Sequence, residues 1–132
     1  MTKYIHMSPM EEEIWDRFLM VHGDYFTRFE YDIHIGESPP PPPGLAEPYI
    51  SAMKVLSLLR IDVVGYRENE VWIFEVKPTA GLSTIGQLIA YRDWWLRQRG
   101  KPEVLYLAAV TDMLSPNVEY SLKEQSIRFY VV

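Results

Sequence analysis

Arg60-Ile-Asp-Val-Val-Gly-Tyr-Arg-Glu-Asn-Glu-Val-Trp-Ile-Phe-Glu-Val-Lys77 decides how this chain is read. Arg60 to Arg67 and Glu70 to Lys77 are both rich in β-branched and aromatic residues, the composition of paired strands. Glu68-Asn69 between them predicts a two-residue hairpin turn, with Asn69 tolerating the positive φ that such a turn demands. Counting outward sets Arg67 against Glu70 and Asp62 against Glu75. Opposed residues of an antiparallel pair share a face, with Cβ atoms about 4.5–5.5 Å apart. Lys77, two residues beyond Glu75, points the same way. Two carboxylates and an ammonium therefore meet among Ile61, Val63, Val64, Ile73, Phe74 and Val76. Like charges opposed in strands this apolar repel unless something compensates, and a divalent cation with hard oxygen ligands, Mg²⁺ or Mn²⁺, does so. An exposed hairpin with a Glu–Lys face is the plainer alternative.

The 132 residues, 48% hydrophobic and 23% charged, fit one globular domain with a core of its own. With no Cys, disulfides and thiolate metal sites are excluded. No apolar run reaches membrane-spanning length, and Met1-Thr-Lys-Tyr-Ile-His-Met-Ser8 lacks the apolar stretch of a signal peptide. A cytoplasmic protein without membrane contact is expected. The net charge of −5 argues against a general nucleic-acid coat, which needs a basic surface. It leaves room for an enzyme that holds nucleic acid through a local patch and a metal.

Ser8-Pro9 predicts a helix start, Ser as N-cap and Pro at the first helical position. Glu11, Glu12 and Glu13 fall in the first turn, where the helix dipole favours anions. On the wheel Ile14, Trp15, Phe18, Leu19 and Val21 form the apolar side. Glu11 sits near its centre, Glu12 at its edge, and Glu13 points away. Gly23 is expected to end the helix as a left-handed C′ residue. Tyr25 to Ile35 alternates as a strand with one buried side and His34 on the solvated side. Gly36-Glu-Ser-Pro-Pro-Pro-Pro-Pro-Gly44 breaks regular structure, since five prolines favour an extended polyproline conformation. Ala46 to Leu59 reads as a short helix running into a strand.

After the hairpin, Pro78 to Gly81 reads as a turn. Ser83 or Thr84 is expected to cap a helix to Arg99, with Gly100 as its C′ residue. Ile85, Leu88, Ile89 and Leu96 make one stripe of that helix, and Gln87, Tyr91, Trp94 and Gln98 a second. Two glutamines and a Tyr are unusual on a core stripe, though Tyr91 and Trp94 could fill a second core layer. Arg92, Arg97, Arg99 and Lys101 give local positive charge on or near that helix, most of which a basic C-terminal turn favoured by the dipole accounts for. Val104 to Val110 is a continuous apolar run, hence a central strand. A short helix over Val118–Glu124 and a last strand over Ser126–Val132 follow.

Asp62, twelve residues, then Glu75-Val76-Lys77 resembles the motif of the PD-(D/E)XK nuclease superfamily. Gln87-Leu-Ile-Ala-Tyr91 is similar to the QxxxY motif that follows it in RecB-like nucleases. Ile61 stands where the Pro of the motif name would be. The resemblance spans residues 10 to 111 and implies an α/β fold, a restriction-endonuclease-like three-layer sandwich in the order α-β-(α/β)-β-β-α-β-α-β. Residues 1–132 would form one nuclease-like domain, with a proline-rich loop at 36–44. It implies Mg²⁺ or Mn²⁺ held by Asp62, Glu75 and the Val76 carbonyl. Glu11 would assist as the acid of the first helix, with Glu12 as second choice. Lys77 would act on the attacking water or the transition state, and Gln87 and Tyr91 would place the site against the DNA backbone. The implied activity is metal-dependent hydrolysis of DNA without strong sequence specificity, since no separate recognition domain accompanies the motifs. By analogy the size suits a nuclease of a phage or mobile element, or a repair accessory, as a monomer or homo-oligomer. The competing expectation is a nuclease-fold module that no longer cuts and acts by binding or assembly.

Overall fold

The structure is a computed structural model and describes residues 4–132. The central hairpin forms in the register its sequence predicts. Strands β2 (Leu59–Arg67) and β3 (Glu70–Ala80) pair antiparallel, with Arg67 opposite Glu70 and Val63 opposite Phe74. The positive φ of the turn falls on Glu68, at 50°, and not on Asn69. Pro78 to Ala80, expected as a turn, instead continue β3, because β4 (Val104–Leu114) holds that end in parallel register through Lys77–Thr111 and Ala80–Leu114. Val76 directs its N–H toward β2. Past Pro78, which has no N–H to give, the Thr111 hydroxyl of β4 donates to the Pro78 carbonyl at 3.2 Å and accepts from the Ala80 N–H at 3.0 Å, so side-chain bonds carry the strand beyond the proline.

The sheet has the order β1-β2-β3-β4-β5. Strand β1 (Arg28–Ile35) runs antiparallel to β2, and β5 (Arg128–Val131) parallel to β4. Helix α1 (Pro9–His22) buries Ile14, Trp15 and Phe18 against Val63, Phe74, Val76 and Val110 on one face. On the other face α3 (Leu82–Gln98) and α4 (Pro116–Glu124) bury Leu88, Tyr91, Trp95 and Leu122 against Ile61, Ile73 and Ala109. Covered on both faces, β3 and β4 need the near-continuous apolar runs seen in their sequences. Helix α2 (Tyr49–Ser57) buries no residue.

The β1–β2 ribbon departs from simple alternation. Phe29 and Tyr31 pack on the α1 side, whereas Ile33 and Ile35, of the same parity, pack on the α3 side. Val63 and Ile61 divide in the same way. The turnover lies at Asp32, which has φ 56°. The expectation of a single buried side from Tyr25 to Ile35 is therefore corrected, and the strand starts only at Arg28 because Gly23–Tyr25 form a 3₁₀ turn. Past Val63 the ribbon leaves β3 and crosses α3. The Gln98 side chain ties its end there, donating to the Gly36 carbonyl and accepting from the Gly36 N–H, both at 2.9 Å.

Other departures have local causes. Gly23 has φ −59°, so α1 tightens into the 3₁₀ turn without a left-handed residue. Val21 and Leu96, placed on apolar faces, are exposed, and Trp95 takes the core position on α3. The N-cap of α3 is Gly81, whose N–H donates to the Thr84 hydroxyl at 3.1 Å, so Thr84 acts from the third helical position. Gly100 has φ 86°, as a left-handed C′ residue should. Residues 37–42 have no regular structure. Among the described residues, no helix is long and apolar enough to cross a membrane.

Candidate functional site

Where β2 parts from β3, Asp62 occupies the split. The ladder ends at Val63–Phe74, and the Asp62 carboxylate takes over as acceptor, its Oδ2 receiving the Val76 N–H at 2.9 Å. Glu75, next in register on β3, is 2% exposed. It hydrogen-bonds to Asp62 and accepts from the Tyr91 hydroxyl of α3 at 3.1 Å. Burial pushes both acids upward, and Glu75, further raised by the hydrogen bond and charge of Asp62, reaches about 9. Two buried acids in contact favour holding one proton between them over ionising together. The Lys77 ammonium acts in the opposite direction on both acids. Burial and the two acids hold the Tyr91 phenol neutral, well above its ordinary range.

Glu11 also belongs to this neighbourhood, since its charge raises Asp62. Its carboxylate is engaged in a capping box: Oε1 accepts the Ser8 N–H at 2.9 Å, and the Glu11 N–H donates to Ser8 Oγ at 3.2 Å. Glu12, the second choice, acts electrostatically on Tyr4. One helical turn before Tyr91, Gln87 keeps a buried Oε1 without a hydrogen-bond partner. An unmet buried acceptor of this kind costs about 1–3 kcal/mol. The hard oxygens of Asp62 and Glu75 suit a divalent cation. Among the described residues, however, no three His, Cys, Asp or Glu side chains gather as a ligand set. The basic residues of α3 are engaged close by: Arg97 with Glu37 at 3.7 Å and over Trp94, Arg92 with Asp93, and Arg99 over Trp95.

One cluster was not anticipated. Asp32 falls opposite Asp62 in the β1–β2 register, between the Tyr31–Val63 and Ile33–Ile61 pairs. It binds Arg60 Nη2 at 2.8 Å and Nε at 2.9 Å, and His6 Nε2 at 3.2 Å. His34, expected on a solvated face, is half-buried, with Nε2 3.5 Å from Asp32 and in no hydrogen bond. Pairing β1 with β2 by eye would have brought Asp32, His34 and Arg60 together, whereas reading β1 alone could not.

No family model matches the sequence, and no curated protein does either. Among solved structures, the chain is similar to a repair endonuclease from Pyrococcus abyssi, with TM-score 0.54 and 16% identity over 99% of this chain and 49% of that one. It is similar also to EndoMS in its complex with dsDNA, with TM-score 0.51 and 13% identity over 98% of this chain and 47% of that one. The chain spans about half the length of each. At these identities the likeness is one of fold alone.

Proposed function

We propose that this chain is a metal-dependent nuclease acting on DNA, a single domain of PD-(D/E)XK type with the restriction-endonuclease-like three-layer arrangement. The observation that carries the reading is the buried, proton-sharing Asp62–Glu75 pair at the split between β2 and β3, with the Lys77 charge and the Tyr91 hydroxyl on it. Endonucleases among the similar structures, one described in complex with dsDNA, support it. A burial-strained acid pair is costly in a purely structural role and marks functional sites.

Asp62, Glu75 and the Val76 carbonyl are the groups to hold Mg²⁺ or Mn²⁺, with Glu11 reinforcing them once its carboxylate leaves the Ser8 N–H. When bound, the cation supplies charge neutralisation at the phosphoryl group and a water acidic enough to attack. The protein's own share is positional. Tyr91 orients Glu75, and the Val76 N–H orients Asp62. Lys77, an ammonium beside two acids, positions the attacking water or stabilises charge on the phosphoryl oxygens. Gln87, with a free acceptor and an amide donor, contacts the DNA backbone next to Tyr91.

The test is cleavage of supercoiled, linear and branched DNA with Mg²⁺ or Mn²⁺ by wild type and Lys77→Ala. The variant should lose at least about 100-fold in rate while still binding metal, because an ammonium is no metal ligand. Equal cutting by Lys77→Ala, in a preparation free of contaminating nuclease, would refute the assignment. A second reading, a module that binds without cutting, is favoured by one observation: Glu11 is spent in its capping box and, among the described residues, no third acidic ligand joins the pair. Wild type that cuts no DNA with either metal would select it.

A further inference from the structure

Two features lie outside this site, and they fit each other. The first is a cavity of about 220 Å³ on the α1 side of the sheet, lined by Tyr25, Phe26, Trp72, Tyr106 and Tyr130, with Arg128 at its edge. The Arg128 guanidinium lies 4.4 Å from the Tyr106 ring centroid and 5.2 Å from that of Trp72. Tyr25 is 41% exposed and carries the Arg67 guanidinium over its ring at 4.0 Å. What sets this cavity apart is its lining of aromatic rings with a cation beside them, the make-up of a ligand pocket. It lies on the opposite face of the sheet from Glu75 and Tyr91, which pack on the α3 side. A DNA strand held at the acid pair does not reach it through the sheet.

The second feature is the loop Glu37-Ser-Pro-Pro-Pro-Pro-Pro-Gly-Leu-Ala-Glu47. All five prolines are exposed. Its base is fixed to the end of α3 by Gln98 on Gly36 and Arg97 on Glu37, which holds it on the face away from the cavity. A proline run is extended and stiff before it binds, so it loses little entropy on docking. Aromatic-lined grooves are the surfaces that take such runs. Charge adds to the fit: with Glu37 held by Arg97, Glu47 is the acid at the far end of the run, and Arg128 and Arg67 border the cavity beside Glu70, which accepts from the Tyr25 hydroxyl and the Trp72 Nε1–H.

We propose that the aromatic cavity binds the proline loop of a second copy of this chain, so that the protein self-associates through loop-in-pocket contacts. The contact is independent of the acid pair. A fluorescein-labelled peptide of residues 36–47, titrated with the full chain and followed by anisotropy, should saturate. Arg128→Glu should weaken it at least about tenfold, and sedimentation of the unlabelled chain should show a concentration-dependent dimer or larger species. Replacing Pro40 and Pro42 by Ser in the exposed loop should return the chain to monomer with an unchanged circular dichroism spectrum. Lys77→Ala should self-associate like wild type, so a failed nuclease reading does not decide this one. The proposal is overturned if the peptide does not saturate at millimolar protein, if Arg128→Glu binds it equally, or if the chain sediments as a monomer throughout. Displacement of the peptide by single-stranded oligonucleotide but not by excess unlabelled peptide would assign the cavity to nucleobases instead.

Discussion

Glu75 is the residue whose chemistry is most displaced by its surroundings. Unfolded it titrates near 4.5, and folded near 9. Below the lower value both states hold the proton, so the contribution of Glu75 does not change with pH there. Between the two values the unfolded chain has released its proton and the folded chain has not, so stability falls as pH rises and levels off above the upper value. The metal-free protein should therefore melt at progressively lower temperature from about pH 5 to about pH 9, and Glu75→Gln should flatten that slope. A wild-type curve that is flat or rises through the window would contradict the shared proton. Gly65 makes a separate prediction. A Cβ there would lie 2.9 Å from the Phe26 ring, 3.1 Å from Phe29 and 3.1 Å from Phe74. Gly65→Ala should cost about 1–3 kcal/mol in urea unfolding, the range for overpacking. No change in midpoint would mean that the three rings move aside freely.

At the scale of elements, the β2–β3 hairpin and its register were legible because turn and strand signals agree and the count from Glu68-Asn69 is symmetric. The helices were legible as elements, and Ser8 as a cap, because capping chemistry is local. What escaped was the turnover of the β1–β2 ribbon. It depends on one left-handed backbone at Asp32, and alternation in the sequence continues unbroken across it. The extension of β3 through Pro78 escaped for a related reason: whether a proline ends a strand depends on whether a neighbour still needs its N–H. Asp62 and Glu75 could be paired from the hairpin count alone, whereas Asp32, His34 and Arg60 meet only once β1 is set against β2, a register that the long proline loop between those strands does not announce. Gln98 holds the end of the ribbon against α3 by two hydrogen bonds to Gly36. Gln98→Ala should lower stability by about 1–3 kcal/mol, at roughly 1 kcal/mol per bond, and raise hydrogen exchange at Ile33 to Ile35 above that of β4. Uniform exchange across both strands would show that the ribbon is held by packing alone.

For the whole molecule, the proposed cation site would couple metal binding to folding. A cation that binds only the folded chain at about 100 times its dissociation constant adds about 2.7 kcal/mol. Mg²⁺ or Mn²⁺ should accordingly raise the melting temperature, more at pH 8 than at pH 6, because the cation must displace the shared proton. Asp62→Asn should melt at the same temperature as metal-free wild type or higher, and should not respond to metal. A wild type indifferent to millimolar Mn²⁺ at both pH values would leave the pair without a cation to hold.

The bond from the Val76 N–H to Asp62 has a spectroscopic consequence. That amide stands where a sheet partner has been replaced by a titratable side chain, so its proton is a reporter placed inside the site. Its chemical shift should follow the occupancy and charge of Asp62 without any probe being added. Asp62→Ala should expose it to rapid exchange with deuterated water while the amides of Ile73 and Phe74, deeper in the paired ladder, stay protected.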